Sequence, residues 1–179
     1  AIRRLATRAA LSSGDRFVVH SDEDRENLER IIPGCRVLRA VLPTLGEIAG
    51  ERRDRLEARE SLGLETDTPT LLFFGFVRPY KGLRHLLEAM PAILSHRKVR
   101  LVVAGEFWHD RQDYMDLIGR LGIRDSITLI DRYVPNEDIG SLFAAADLVV
   151  QPYETATQSG VTQIAFDAAN VSNHSPIAR

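Results

Sequence analysis

The sequence is short of cysteine and of net charge, and each shortage removes a class of function. One cysteine, Cys35, excludes an internal disulfide and a cysteine-built zinc site, and it fits a reducing compartment. A net charge of -2 over 179 residues supplies no overall field for nucleic acid or an anionic membrane, so any phosphate binding must come from a local site. The five histidines, His20, His85, His96, His109 and His174, are scattered without metal-like spacing. No apolar run is long enough to span a bilayer. The opening AIRRLATRAALSSGD is basic but lacks a hydrophobic core of signal-peptide length, and it reads as the end of a helix. There is no internal repeat and no low-complexity tract. With 44% hydrophobic and 27% charged residues, the chain can bury a core, and its length suits one domain, or one domain plus a piece of another.

What is present is organised around Thr70 to Gly82, TLLFFGFVRPYKG. The apolar run Leu71, Leu72, Phe73, Phe74 predicts a strand buried on both faces, ending on Gly75. A short loop with Arg78 and Lys81 follows, and then Leu83, Leu86, Leu87, Met90 and Ile93 recur at helical spacing. Strand, glycine turn, cationic loop and helix put positive charge at the carboxyl end of a strand, beside the unpaired N–H groups of a helix start. The same loop also reads as an ordinary solvated βα connection.

Upstream, Arg16 to His20 predicts a strand, Ser21 with Asp24 a helix cap, and Leu28, Ile31 and Ile32 an apolar stripe ended by Pro33 and Gly34. Arg36 to Leu42 is a second β-like run. Residues 43–50 have turn chemistry and predict a linker, and Glu51 to Leu62 predicts a charged, largely exposed helix. Downstream, Val99 to Gly105, Ile127 to Asp131 and Asp147 to Gln151 predict strands. The intervening helices carry Tyr114, Leu117, Ile118 and Leu121, then Ile139, Leu142, Phe143 and Ala146 after an Asn136 cap, and finally Val161, Ile164, Ala165 and Ala168. Pro91 predicts a kink or early stop in its helix. The alternation predicts an α/β fold, a doubly wound parallel Rossmann-like sheet.

Ligands in such sheets bind beyond the carboxyl ends of the strands. Those ends carry Arg78 and Lys81, Glu106 to Asp110, Tyr133 and Val134, and the cluster Thr157, Gln158, Ser159, Gly160, Val161. In that cluster, Ser159, Gly160 and Val161 can aim backbone N–H groups at an oxyanion, or can simply cap a helix. Tyr133 and Val134 can flank a nucleobase or pack at a strand end.

GFVRPYKGLRHLLEA, LVVAG and YVPNEDIGSLFAAADLVVQPY together resemble the donor-binding domain of family-4, GT-B-type glycosyltransferases, from about Leu56 to Ala168. The resemblance implies transfer of a sugar from a nucleotide-diphosphate donor to an acceptor, without a bound metal or other cofactor. It implies that Lys81, with Arg78, neutralises the departing diphosphate. Gly75, Thr157, Gln158, Ser159, Gly160 and Val161 are then donor and phosphate contacts, and Tyr133, Val134 and Glu106 serve the nucleobase and ribose. It also implies that residues 1–42 close an acceptor domain, that 43–50 link, and that 51–179 form a truncated donor domain, cytoplasmic and inactive alone. The unfinished sheet edge predicts self-association, or disorder in the tail after Ala168, and membrane association of the full-length enzyme stays open.

Three departures from the family pattern stand out, one being that the sequence ends at Arg179 where the family continues with another strand, so that the tail offers only a short strand at 176–178. Phe76 occupies the place of the arginine that usually follows the glycine, with Arg78 two residues later on the same face of an extended segment. The family's paired glutamates would fall on Thr157 and Ala165, neither of them acidic. Two further readings remain: a non-catalytic α/β module binding a phosphorylated effector or a protein, and a GT-B-shaped sugar-nucleotide epimerase.

Overall fold

The computed structural model describes residues 9, 11–40, 54–108, 110–155 and 159–171. They form two compact units, one of residues 9–40 with 159–160, the other of residues 54–155 with 161–171.

The smaller unit is a βαβ element. Strand β1 (Arg16–Val19) and strand β2 (Arg36–Arg39) pair in parallel, Arg16 opposite Arg36 and Val19 opposite Arg39. Helix α1 (Asp22–Ile31) connects them, and Ser21 caps it by accepting the Asp24 N–H at 3.0 Å. Its first turn holds Asp22, Glu23 and Asp24, which favours a helix N-terminus electrostatically. The expected strand to Leu42 ends at Arg39; Val41 and Leu42 lie outside the described residues, as do the linker at 43–50, the tail strand at 176–178 and most of the first helix.

The larger unit is built on four parallel strands: β3 (Thr70–Phe74), β4 (Arg100–Ala104), β5 (Ile127–Ile130) and β6 (Leu148–Val149), in spatial order β5-β4-β3-β6. Their helices are α2 (Arg55–Ser61), α3 (Leu83–His96), α4 (Arg111–Leu121), α5 (Asn136–Ala145) and α6 (Gly160–Val171). The period of two along each strand sorts side chains between two cores. Leu71, Phe73, Leu101 and Val103 pack against Leu87 and Met90 of α3 and Leu117 and Ile118 of α4. Leu72, Phe74, Val102 and Ala104 pack against Ala58 of α2, Leu142 and Phe143 of α5, and Ile164 and Ala165 of α6. Helices thus cover both faces of a parallel sheet, as the doubly wound reading requires. Strand order reverses between β3 and β6, so the crevice between their carboxyl ends is the switch point at which such folds bind ligands.

Three local expectations are corrected. Of the kink or early stop expected at Pro91, the stop does not occur: helix α3 runs on to His96. An interior proline costs about 3 kcal/mol, yet Leu86, Leu87 and Met90 before it and Ile93 and Leu94 after it all pack on one core, which holds the helix together across the missing N–H. Asn136 is not the cap of α5 but its first residue; extended Pro135 precedes it, and the Pro135 carbonyl accepts the Asp138 N–H at 3.0 Å. The buried end of that helix is Ala145, not Ala146, which is the half-buried capping residue.

The expectation of a largely exposed α2 also fails at Arg59, which is 0% exposed. Its guanidinium donates to the carbonyls of Ala145 (3.0 Å), Glu65 (3.3 Å), Thr66 and Thr68 (3.3 Å), and to Asp147 Oδ2 at 2.6 Å. The same Asp147 oxygen accepts the Thr70 N–H at 2.7 Å, and its other oxygen pairs with Arg55. One carboxylate therefore joins α2, the start of β3 and the start of β6. A guanidinium is the cation suited to this position, because its planar fork can satisfy several acceptors at once without water.

Candidate active site

The switch-point crevice is floored by backbone. After β3 the chain turns at Gly75, whose φ is +97° and whose N–H bonds to the Ala104 carbonyl at 2.9 Å. A Cβ at Gly75 would lie 2.8 Å from Lys81 Nζ, so the absence of a side chain is what lets the ammonium rest against the backbone. A 3₁₀ turn, Pro79–Lys81, then carries the lysine back towards the strand end, and Gly82 (φ +71°) starts α3. At Gly82 a Cβ would come 1.9 Å from the Pro152 carbonyl oxygen. With the Glu154 N–H donating to the Tyr80 carbonyl at 2.8 Å, this close approach locks the loop after β6 onto the loop after β3. His85 Nε2 and Glu154 Oε1, 3.0 Å apart, add a side-chain tie between α3 and the same loop.

Lys81 is half-buried, with its ammonium 5.8 Å from the centre of the Tyr153 ring. Burial, and secondly the positive charge of Arg78, hold its pKa below the ordinary lysine value. Arg78 sits on a short extension of the sheet: Val77 bridges in parallel to Phe107 and donates its N–H to the Glu106 carbonyl at 2.9 Å. Alternation along this extension buries Val77 and turns Phe76 and Arg78 to the opposite face. There the Arg78 guanidinium lies 4.2 Å from the centroid of the Trp108 ring, and Phe76 meets that indole edge-on at 5.2 Å. Among the described residues, neither Arg78 nor Lys81 has a carboxylate partner. A half-buried ammonium whose charge Arg78 disfavours, at the carboxyl end of the sheet and with no carboxylate on either cation among the described residues, forms a site prepared for an anion.

The other predicted residues divide. Val161, the second residue of α6, brings its Cγ2 to 3.7 Å from the Cβ position of Gly75, next to the cationic pair. Thr162 donates to Gln151 Oε1 at 3.1 Å and ties that helix start to the end of β6. Thr157 and Gln158 lie outside the described residues, and Ser159 and Gly160 group with the smaller unit. Tyr133 is 60% exposed beyond β5, whereas the Val134 side chain is buried in the second core, leaving its backbone groups for any ligand contact. Glu106 is exposed and lends its carbonyl to Val77.

Sequence reasoning missed Trp108 and Tyr153 as supports for the two cations; both were visible only as aromatics in strand-end loops. It also missed Asp131, which accepts the Phe107 N–H at 3.3 Å, pairs with Arg111, and so holds the loop that presents Trp108. No cluster of three or more metal-ligating side chains occurs among the described residues, and no helix among them is long and apolar enough to cross a membrane.

The family model for glycosyl transferases group 1 matches residues 54–160. Alpha-D-kanosaminyltransferase of Streptomyces kanamyceticus is 30% identical over 156 residues, covering 84% of this chain and 40% of that protein. An uncharacterized glycosyltransferase of Methanocaldococcus jannaschii is 34% identical over 100 residues, 55% of this chain and 25% of its own length. This chain thus spans two fifths or less of these relatives. Among solved structures, sucrose-phosphate synthase from Thermosynechococcus elongatus superposes with a TM-score of 0.76 at 22% identity, over 93% of this chain and 41% of that one. Anabaena HepE, in complex with UDP and glucose, superposes with a TM-score of 0.74 at 21% identity, over 92% and 45%.

Proposed function

This chain is a member of the group 1 glycosyltransferase family, and from that membership we propose that its larger unit binds the diphosphate of a nucleotide-sugar donor during sugar transfer to an acceptor. As the bond between the anomeric carbon and the β-phosphate oxygen breaks, negative charge gathers on the diphosphate. Lys81 and Arg78 stabilise that charge, and fixed cations in a partly desolvated crevice do so with little reorganisation. The backbone N–H of Val161, at the start of α6, adds a donor to the phosphates, while Tyr133, Val134 and Glu106 serve the base and ribose. The charge stabilisation comes from side chains, and the reading assigns no metal. Residues 1–42 belong to the acceptor half, with 43–50 as the link.

The observation that carries this reading is the cationic pair itself. An ammonium rests on a glycine backbone beside a guanidinium, at the switch point of a parallel sheet, with no carboxylate on either among the described residues. The Anabaena fold neighbour is also described in complex with UDP-glucose, which makes uridine diphosphate the first probe. Calorimetry with uridine and guanosine diphosphates, each against its nucleoside, tests the reading. Arg78→Ala is expected to weaken the diphosphate about tenfold, the worth of one charge-assisted hydrogen bond of roughly 1.5 kcal/mol, and to leave the nucleoside unchanged. Equal weakening of both, or no saturable nucleotide binding, overturns it.

A pH dependence follows from the lowered lysine pKa. The bound diphosphate favours the ammonium and raises its pKa, so affinity is fully present below the free-state pKa of Lys81, begins to fall as pH rises through it and is lost through the bound-state value. Because burial and Arg78 hold the free-state pKa below the ordinary lysine value, the loss begins at a lower pH than for a solvated lysine. In Arg78→Ala, which removes the second cause, the onset moves to higher pH. An affinity flat up to the ordinary lysine range excludes Lys81 as a phosphate contact.

A further inference from the structure

We propose that Trp108 is a positioning residue for Arg78: its indole face holds the guanidinium on the crevice side of the sheet extension while leaving the charge un-neutralised. The inference rests on the diphosphate reading of the crevice and adds the residue that makes the displaced arginine usable there.

An arginine on a strand-end loop has several rotatable bonds, and restraining it costs about 2 kcal/mol of side-chain entropy. A carboxylate would restrain it, but by taking up the N–H fork that a phosphate needs. An aromatic face restrains it differently. The ring quadrupole attracts the flat face of the cation and leaves the in-plane N–H donors pointing outward. The geometry has this form: the guanidinium carbon is 4.2 Å from the indole centroid, and the side chain is half-buried. Trp108 is itself held. Phe76 packs against its edge at 5.2 Å, the preceding residue bridges to Val77, and the Phe107 N–H is fixed by Asp131. Yet the ring is 49% exposed, so it is not a core residue whose loss would collapse the unit. Phe76 and Arg78 share a face of the extension, and Trp108 contacts both, so the aromatic directly after Gly75 and the cation two positions later form one assembly.

A double-mutant cycle on the 179-residue chain tests this, with uridine diphosphate and uridine as probes. Trp108→Leu is expected to weaken uridine diphosphate about fivefold, within the range of a partly exposed cation–π contact. It should leave uridine affinity and the thermal midpoint unchanged, and Trp108→Phe should stay within about twofold of wild type. In an Arg78→Ala background, Trp108→Leu should have no further effect, because the residue it positions is gone. A fivefold loss that persists in that background, or none in the wild-type background where Arg78→Ala has one, overturns the proposal. Failure of the underlying site reading looks different: the wild-type chain then shows no saturable uridine diphosphate binding. The contact itself is read without ligand, because Trp108 is the only tryptophan. Its emission should shift between wild type and Arg78→Ala, and identical spectra would also overturn the proposal.

Discussion

Replacing Lys81 with alanine is expected to weaken uridine diphosphate binding about thirty- to hundredfold while leaving uridine affinity within about twofold. The magnitude is that of charge-assisted hydrogen bonding to phosphate in a partly desolvated site, about 2–3 kcal/mol. It exceeds the expectation for Arg78 because Lys81 sits on the floor of the crevice, with its ammonium against the Gly75 backbone. Lys81→Arg is not a rescue, since the guanidinium is larger than the space left over a residue that has no side chain. Lys81→Met keeps much of the stem and loses the charge, so it separates packing from electrostatics. If Lys81→Met binds diphosphate like wild type, the ammonium plays no part in recognition and the anion lies elsewhere.

Asp147→Ala is expected to lower the stability of the larger unit by about 3 kcal/mol, the lower end of the range for stripping one partner from a buried ion pair. Two groups lose their acceptor together: the fully buried Arg59 guanidinium and the Thr70 N–H at the start of β3. The remaining carbonyl acceptors around Arg59 and the partial exposure of Asp147 keep the effect from being larger. For a domain of this size, such a loss corresponds to a fall of about 6–12 °C in thermal midpoint. Arg55→Ala removes only the exposed arm of the same cluster and should cost under about 1 kcal/mol. Chemical denaturation of the two variants decides the matter. Losses of equal size would mean that Arg59 does not depend on its carboxylate.

The contrast between these residues shows what was legible in the sequence. The sorting of Leu71 and Phe73 to one core and Leu72 and Phe74 to the other follows from the pleat alone, and the helices were located by their own apolar spacing. Gly75 and Lys81 were legible because a strand, a glycine and a cation lie within one short segment. Arg59 was not. In RRDRLEARE it is one charge among many, and the partner that distinguishes it lies 88 residues away. Trp108 and Tyr153 were missed for the same reason, since a ring becomes a support for a cation only when the sheet brings two loops together. The early stop expected at Pro91 did not occur because a local cost of about 3 kcal/mol was set against packing along a whole helix face.

The Arg59 cluster also bears on synthesis at the ribosome. At about 5–20 residues per second, the 88 residues that separate the guanidinium from its carboxylate take roughly 4–18 s to emerge. The Glu65, Thr66 and Thr68 carbonyls are available almost at once, so a nascent chain can seat the arginine early but cannot neutralise it until Asp147 is out. Closure of this cluster is therefore timed by β6, and a pause in translation before that strand prolongs the interval in which a charged half-core stands open.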